Sequence, residues 1–250
     1  MSRGTRYGSR LAELIRERGP AVVLTGAGIS TESGIPDFRS STGLWAEFDP
    51  LEYATLEAFR ADPEKVWRFY GPRYAVLTEA EPNAAHRALA ELERAGHVRA
   101  VVTQNIDLLH ERAGSGDVIE VHGSIRTASC PVCGLRHELA EVLEVLAVEP
   151  VPRCRECGSV LKPDVVFFGE LLTETAIDRA YELARSARLL LVVGSSLEVH
   201  PVAGLPGETL AAGGALAIVN QGETPFDGRA ELKLDAAAGP TLAAVAEALR

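Results

Sequence analysis

The chain contains four cysteines, Cys130, Cys133, Cys154 and Cys157, arranged as two C-x-x-C pairs with 20 residues between them. Two such turns bring four thiolates to tetrahedral spacing, which is the donor set of a closed structural zinc site. A disulfide framework would need an oxidising compartment, and a thioredoxin-like redox pair would account for one C-x-x-C but not two. The spacing predicts one bound Zn2+.

A second set of residues could do chemistry only if the fold brings it together. The apolar run AVVLTG leads into Gly26-Ala27-Gly28-Ile29-Ser30-Thr31. Glycines here allow close approach of backbone N–H groups to a pyrophosphate, although the same loop taken alone reads equally as a tight turn. Thr31 stands where a dehydrogenase fingerprint has its third glycine, and the next strand ends in Gln104-Asn105 rather than an acid, which disfavours hydride transfer. The segment Glu32 to Arg39 places breakers beside Asp37, Phe38 and Arg39, a pattern suited to a loop closing over a ligand, with an ordinary surface loop as the alternative. Thr103-Gln104-Asn105-Ile106-Asp107 can hydrogen-bond an amide or a ribose, or Asp107 can cap the following helix. His122 ends another apolar run and could take a proton from a ribose hydroxyl near neutral pH. His86, His97, His110, His137 and His200 read as structural. Gly194-Ser195-Ser196-Leu197 and Asn220 supply small hydroxyls and an amide suited to adenosine, each by itself no stronger than a turn.

The elements that must position these residues are short strands at 21–26, 98–105, 117–123, 187–196 and 214–220, with helices at 83–96, 174–187 and 240–250, the last opening at Pro240. Strands alternating with helices predict an α/β fold, a Rossmann-like doubly wound parallel sheet whose carboxyl strand ends share one edge. Residues 41–82 and 128–162 interrupt the alternation and predict a smaller helical plus zinc-ribbon module. The large domain is then discontinuous, from residues 1–40, 83–127 and 163–250. No apolar run approaches the roughly 20 residues of a membrane span, and the first residues lack a secretory core, so the expected compartment is the cytoplasm. A net charge of -10 opposes nucleic-acid binding through phosphates and suits a basic partner such as a lysine-bearing segment.

Taken together, GAGIS, GIPDFRS, TQNID, the HG at 122–123, the two C-x-x-C pairs, KPDVVFFGE, GSSLEV and the VN at 219–220 resemble, in order, the sirtuin family, NAD-dependent protein deacylases. The resemblance runs from residue 21 to about 220. It implies NAD lying along the strand ends, with Gly26, Ala27, Gly28 and Thr31 at the pyrophosphate and Asp37, Phe38 and Arg39 in the covering loop. Gln104, Asn105, Ile106 and Asp107 would hold the nicotinamide ribose and carboxamide, and Gly194, Ser195, Ser196, Asn220 and Gln221 would bind the adenosine half. Ala238 is assigned to the adenine end by spacing alone. His122 would be the catalytic base, assisted by Asn105 and Asp107, with Phe38 excluding water. The acyl group would pass from lysine to ADP-ribose with release of nicotinamide. The substrate peptide would pair as an added strand between Val165, Phe167, Gly169 and Glu170 on one side and Leu197 and Val199 on the other. The zinc would lie outside the chemistry, in a structural role.

Within the family, the Y-x-x-R spacing of Tyr70 and Arg73 resembles the acyl-pocket motif of class III bacterial-type members that remove succinyl, malonyl or glutaryl groups. A guanidinium and a phenol can bind a terminal carboxylate, and Ala54 matches a small position that leaves room for a longer acyl chain. Acetyl-lysine is expected as a further substrate. GSSL stands where GTSL is more usual, and the segment after Asn220 matches only loosely. Other readings are a sirtuin-like mono-ADP-ribosyltransferase, a non-catalytic NAD- or zinc-binding adaptor, and a zinc-ribbon nucleic-acid binder. The expected partners are acyl-lysine proteins or peptides, with a monomer slightly favoured.

Overall fold

The computed structural model describes residues 3–40 and 42–250; residues 1, 2 and 41, which the expected divisions include, lie outside the described residues. In chain order the helices are α1 (Arg3–Arg18), α2 (Leu44–Glu47), α3 (Pro50–Tyr53), α4 (Leu56–Ala61), α5 (Pro63–Glu79), α6 (Ala84–Arg94), α7 (Leu109–Arg112), α8 (Leu139–Leu146), α9 (Glu174–Ser186), α10 (Leu205–Ala211) and α11 (Ala238–Leu249). The strands are β1 (Ala21–Thr25), β2 (Val98–Thr103), β3 (Val118–Glu120), β4 (Gly123–Ser129), β5 (Arg136–Glu138), β6 (Lys162–Val165), β7 (Leu189–Val193), β8 (Ala215–Val219) and β9 (Leu232–Leu234).

Six strands form one parallel sheet in the order β3-β2-β1-β7-β8-β9. Every residue of β1, β7 and β8 is buried, because a parallel sheet covered on both faces needs near-continuous apolar strands. Val23 and Leu191 face a core built with Leu11, Ile15, Leu89 and Leu242 of α1, α6 and α11. Val22, Leu24 and Leu190 face the opposite core, shared with Leu183 and Leu205 of α9 and α10. The chain starts mid-sheet at β1, runs outward to β3, then crosses to β7 on the other side. The order therefore reverses between β1 and β7, which opens a crevice at their carboxyl ends. This is the Rossmann-like fold expected from the alternation.

The differences lie at element boundaries. Gln104, Asn105, Gly194, Ser195 and Asn220 fall just outside the strands, with the N–H groups of Gln104, Gly194 and Asn220 still donating to the neighbouring strand. β3 stops at Glu120, and the chain turns through His122 into β4, the middle strand of an antiparallel sheet ordered β5-β4-β6. That small sheet spans residues 123–165, beyond 128–162 at both ends. β9 was not expected: three residues between turn segments are too short to show a period, yet they pair with β8. α11 opens at Ala238, two residues before Pro240, which is tolerated because first-turn N–H groups have no helical acceptor.

Between β1 and β2 the chain forms several helices, and α3, α4 and α5 are each fixed at the start by a side-chain cap. Asp49 accepts from Leu51 N–H, Thr55 from Ala58 N–H and Asp62 from Lys65 N–H. The last of these launches α5, whose Trp67 and Tyr74 enter a third core with Phe59, Cys130, Cys154, Leu161 and Phe167. Among the described residues no helix is long and apolar enough to cross a membrane.

Candidate active site

One cavity of about 1250 Å³ occupies the crevice and runs beneath the helices that follow β1. It is larger than the pocket of a single drug-sized ligand, roughly 300–1,000 Å³. It is lined by Gly26, Ala27, Gly28, Thr31, Asp37, Phe38, Arg39, Gln104, Asn105, Ile106, Asp107, His122, Gly194, Ser195, Ser196, Asn220, Gln221 and Ala238. Ala54, Tyr70, Arg73, Val165, Phe167, Gly169, Glu170 and Val199 line the same cavity. Leu197 does not. Its φ of 56° turns the side chain into the core beneath the sheet, where it is 2% exposed.

The glycines of the first loop are required by packing between loops. A Cβ on Gly28 would sit 2.9 Å from the Gly194 Cα, and one on Gly194 would sit 2.3 Å from Ile29 N. The N–H groups of Gly26 and Gly28 donate to Val193 and Gly194 carbonyls at 3.1 and 2.9 Å. These two N–H groups therefore join the strand ends, instead of pointing at a ligand as the sequence suggested. Asp37 braces the next loop by accepting from the N–H groups of Arg39 and Ser40, and Arg39 pairs across the cleft with Glu198 at 3.0 Å. Phe38 stays partly exposed, 5.2 Å from the Trp45 ring.

A buried polar network lies behind the loop. Ser30 donates to Asp107 Oδ2 at 2.7 Å and accepts from Asn105 Nδ2 at 3.1 Å. Asn105 also donates to Gly26 O at 3.2 Å. Asp107 uses its other oxygen to accept from Leu109 N–H, the first of α7, at 3.0 Å, and so holds the loop together. Burial pushes its carboxyl pKa up, opposed by the Ser30 and Leu109 bonds. His86 Nδ1 accepts from Asn83 N–H, leaving Nε2–H to face Ser30 at 3.4 Å. His110 Nε2 donates to Thr25, which donates on to Thr103 at 2.8 Å. Burial lowers these two histidines to about 4 and about 3, so both are neutral near pH 7. Gln104 donates to Ser195 Oγ at 2.9 Å, tying β2's end to β7's. Asn220 donates to the Gln221 and Gly222 carbonyls, shaping its own turn.

His122 sits between the two sheets. A carbonyl can only accept, so the 3.1 Å contact of Nδ1 with Gln104 O means that Nδ1 carries the proton. Nε2 then keeps its lone pair, the form of a general base. Burial lowers the imidazole pKa, opposed by the Gln104 bond and reinforced by the Arg39 charge.

At the other end of the cavity, α5 presents Tyr70 and Arg73 one turn apart. Burial raises the Tyr70 phenol, keeping it a hydrogen-bond donor. The Arg73 guanidinium lies 3.6 Å over the Phe69 ring and 4.8 Å from Phe48. Its Nη1 donates to Phe69 O, while its Nε is buried without a partner. Burial lowers its pKa, opposed by Tyr70 and Glu47. Ala54 is buried, and its carbonyl accepts from Phe168 N–H at 2.8 Å. Glu170 spends its carboxylate internally, on Phe167 N–H at 2.8 Å and Lys162 Nζ at 2.9 Å. Both contacts fall on Oε2. Ser30, Trp45, Phe69 and Lys162 were not singled out by sequence; the serine ended one noted motif and the lysine opened another, while Trp45 and Phe69 carry no local sign of a site.

The four cysteine Sγ atoms lie within 4.8 Å of one another, with pairs at 3.4, 3.5 and 3.7 Å. These are far beyond a disulfide bond and close to the ~3.8 Å edge of a tetrahedron with Zn–S bonds of about 2.3 Å. The donor set fits one structural zinc ion, with all four positions filled by protein.

Comparison with known proteins agrees with this geometry. Residues 26–201 match the Sir2 family. An NAD-dependent protein deacylase 1 of Archaeoglobus fulgidus is 44% identical over 233 residues, covering 93% of this chain and 94% of that protein. An NAD-dependent protein deacetylase of Sulfolobus acidocaldarius is 47% identical over 224 residues, covering 89% and 87%. A solved Sir2 structure with a deacetylated p53 peptide and 3′-O-acetyl ADP-ribose aligns with a TM-score of 0.91 at 42% identity, covering 96% of this chain and 97% of that one. Sequence, fold and crevice thus converge on one assignment, and the chain belongs to the Sir2 family.

Proposed function

We propose that this chain is an NAD-dependent protein-lysine deacylase, and that its acyl pocket takes succinyl, malonyl or glutaryl groups as well as acetyl. The observation that carries this reading is the continuity of one cavity from the Ser30–Asn105–Asp107 network, past His122, to Tyr70 and Arg73. NAD, when bound, supplies the ribose carbon that accepts the acyl oxygen and the nicotinamide that leaves. Asn105 and Asp107, held by Ser30, orient the nicotinamide end. His122 takes a ribose hydroxyl proton at Nε2, its tautomer set by Gln104 O. Gly194, Ser195, Ser196, Asn220, Gln221 and Ala238 shape the adenosine end, and Phe38 with its loop shields the reacting centre from water. The acyl-lysine segment lies between residues 165–170 and 196–199.

Arg73 supports the acidic-acyl reading. A half-buried guanidinium whose Nε has no protein partner can bind a carboxylate without giving up its contact with Phe69 O. Turnover of succinyl and acetyl peptides by the wild type and Arg73→Met tests it. The succinyl kcat/KM should fall about tenfold to hundredfold, the range for losing a hydrogen bond to a charged group. The acetyl value should stay within about threefold. Equal losses on both substrates would refute the acidic-acyl assignment.

A further inference from the structure

The strands that carry the cysteines do not end at them. β4 begins beside His122 and ends one residue before Cys130, while β6 begins five residues after Cys157 and ends at Val165. The two pair antiparallel, Ser129 with Lys162 near the cysteines and Gly123 with Val165 at the other end. At that far end Val166 N–H donates to His122 O at 2.8 Å. One end of this ribbon therefore holds the metal ligands, and the other holds His122 and the Val165–Phe167 segment.

Side chains repeat the connection. Cys130 and Cys154 are 2% and 3% exposed and share one apolar cluster with Trp67, Val165 and Phe167, against which Tyr70 packs. Trp67, fully buried, precedes Tyr70 by one turn of α5 and donates its indole N–H to Leu161 O at 2.5 Å. The next residue, Lys162, donates to Val165 O at 3.0 Å and pairs with Glu170. The Tyr70 ring lies 5.5 Å from Phe167. By contrast, the strands leading to Gly26, Gly194 and Asn220 are packed by the other two cores, which include no cysteine and no residue of α5.

We propose that the four-cysteine ribbon and Trp67 together position the acyl-lysine wall of the cleft, while the ADP-ribose part of the nucleotide wall, at Gly26, Gly194 and Asn220, stands without them. Ile106 at the nicotinamide end packs on the cysteine cluster and belongs with the ribbon. Zinc binding and acyl-peptide binding are then coupled, and zinc binding and ADP-ribose binding are not. The inference rests on the deacylase reading.

Coupling between two ligands is reciprocal, so the zinc-loaded protein can report it directly. Zinc affinity is measured by competition with a chromogenic chelator under thiol reductant, with no addition, with saturating succinyl- or acetyl-lysine peptide, and with saturating ADP-ribose. Peptide should tighten zinc binding at least about fivefold, the low end of measured couplings, and ADP-ribose should leave it unchanged. Tightening by both ligands, or by neither, would overturn the inference. Trp67→Phe provides a second measurement, since it removes the indole donor and keeps a ring. The acyl-peptide KM should rise about tenfold, as expected for orphaning a buried carbonyl. ADP-ribose affinity and one zinc per chain should be retained. A parallel loss of ADP-ribose affinity, or no rise in the peptide KM, would count against it. A wild-type protein that bound neither peptide nor ADP-ribose would overturn the deacylase reading itself, and the inference with it.

Discussion

At the scale of single residues, His122 acquires its chemistry from its burial and two neighbours. Gln104 O fixes the tautomer, burial favours the neutral ring, and the Arg39 charge does the same. Because the base is the neutral form, a lowered pKa extends its working range towards acid. The acid limb of kcat/KM should therefore have its midpoint below about 6.5, the ordinary histidine value, and the rate should be flat above it. A limb centred above that value would mean that the imidazole is not the titrating base. The sequence offered His122, Asn105 and Asp107 as candidates because their strand ends should converge on one edge, although a polar strand end alone reads as a helix cap and a histidine alone as structural. They did not announce that Glu170 spends its carboxylate on Lys162 and Phe167, or that Leu197 turns into the core. Both depend on the backbone angles of short irregular segments, which residue type does not display.

At the scale of elements, the crevice depends on two loops meeting backbone to backbone. Gly194, at φ 61°, has Ile29 N and the Gly28 carbonyl carbon where a side chain would begin. Gly194→Ala should cost about 1–3 kcal/mol of stability, the scale of a strained backbone position. It should also weaken ADP-ribose binding at least about tenfold, because the first loop must shift to make room. A variant with wild-type melting temperature and ADP-ribose affinity would show that the loops do not need this contact. The periodicity of β1, β7, β8, α6 and α9 was legible because each buries a full face. β9 was not, since three residues cannot display a period and only the edge of β8 makes them a strand. α5 was legible as a motif through Tyr70 and Arg73, while its attachment to the ribbon through Trp67 and Leu161 spans 94 positions and leaves no local mark.

At the scale of the whole molecule, two buried histidines tie stability to pH. His86 and His110 are lowered to about 4 and about 3 in the folded state, whereas the unfolded chain titrates near 6.5. Below about pH 6.5 the unfolded state binds more protons, so stability is full above that value and falls as pH drops towards 4 and below. At about pH 5 the loss is on the order of 2 kcal/mol for each histidine. Urea midpoints at about pH 7.5 and pH 5 should show the fall, and His110→Gln should remove roughly half of it. An equal fall in the variant would place the titration elsewhere.

The sequence by itself determined the parallel sheet, the four-thiolate zinc set and the family, and it named the residues proposed as base, ribose ligand and carboxylate ligand. These follow from local pattern: apolar strands, fixed ligand spacing, and functional groups at strand ends. Only the tertiary structure decided which of those groups share one cavity, which are spent on each other, and how the ribbon reaches the acyl pocket. Those outcomes depend on the crossing between β1 and β7, on loop-to-loop packing and on a core shared by α5 and the cysteines, all of them contacts between residues far apart in the chain.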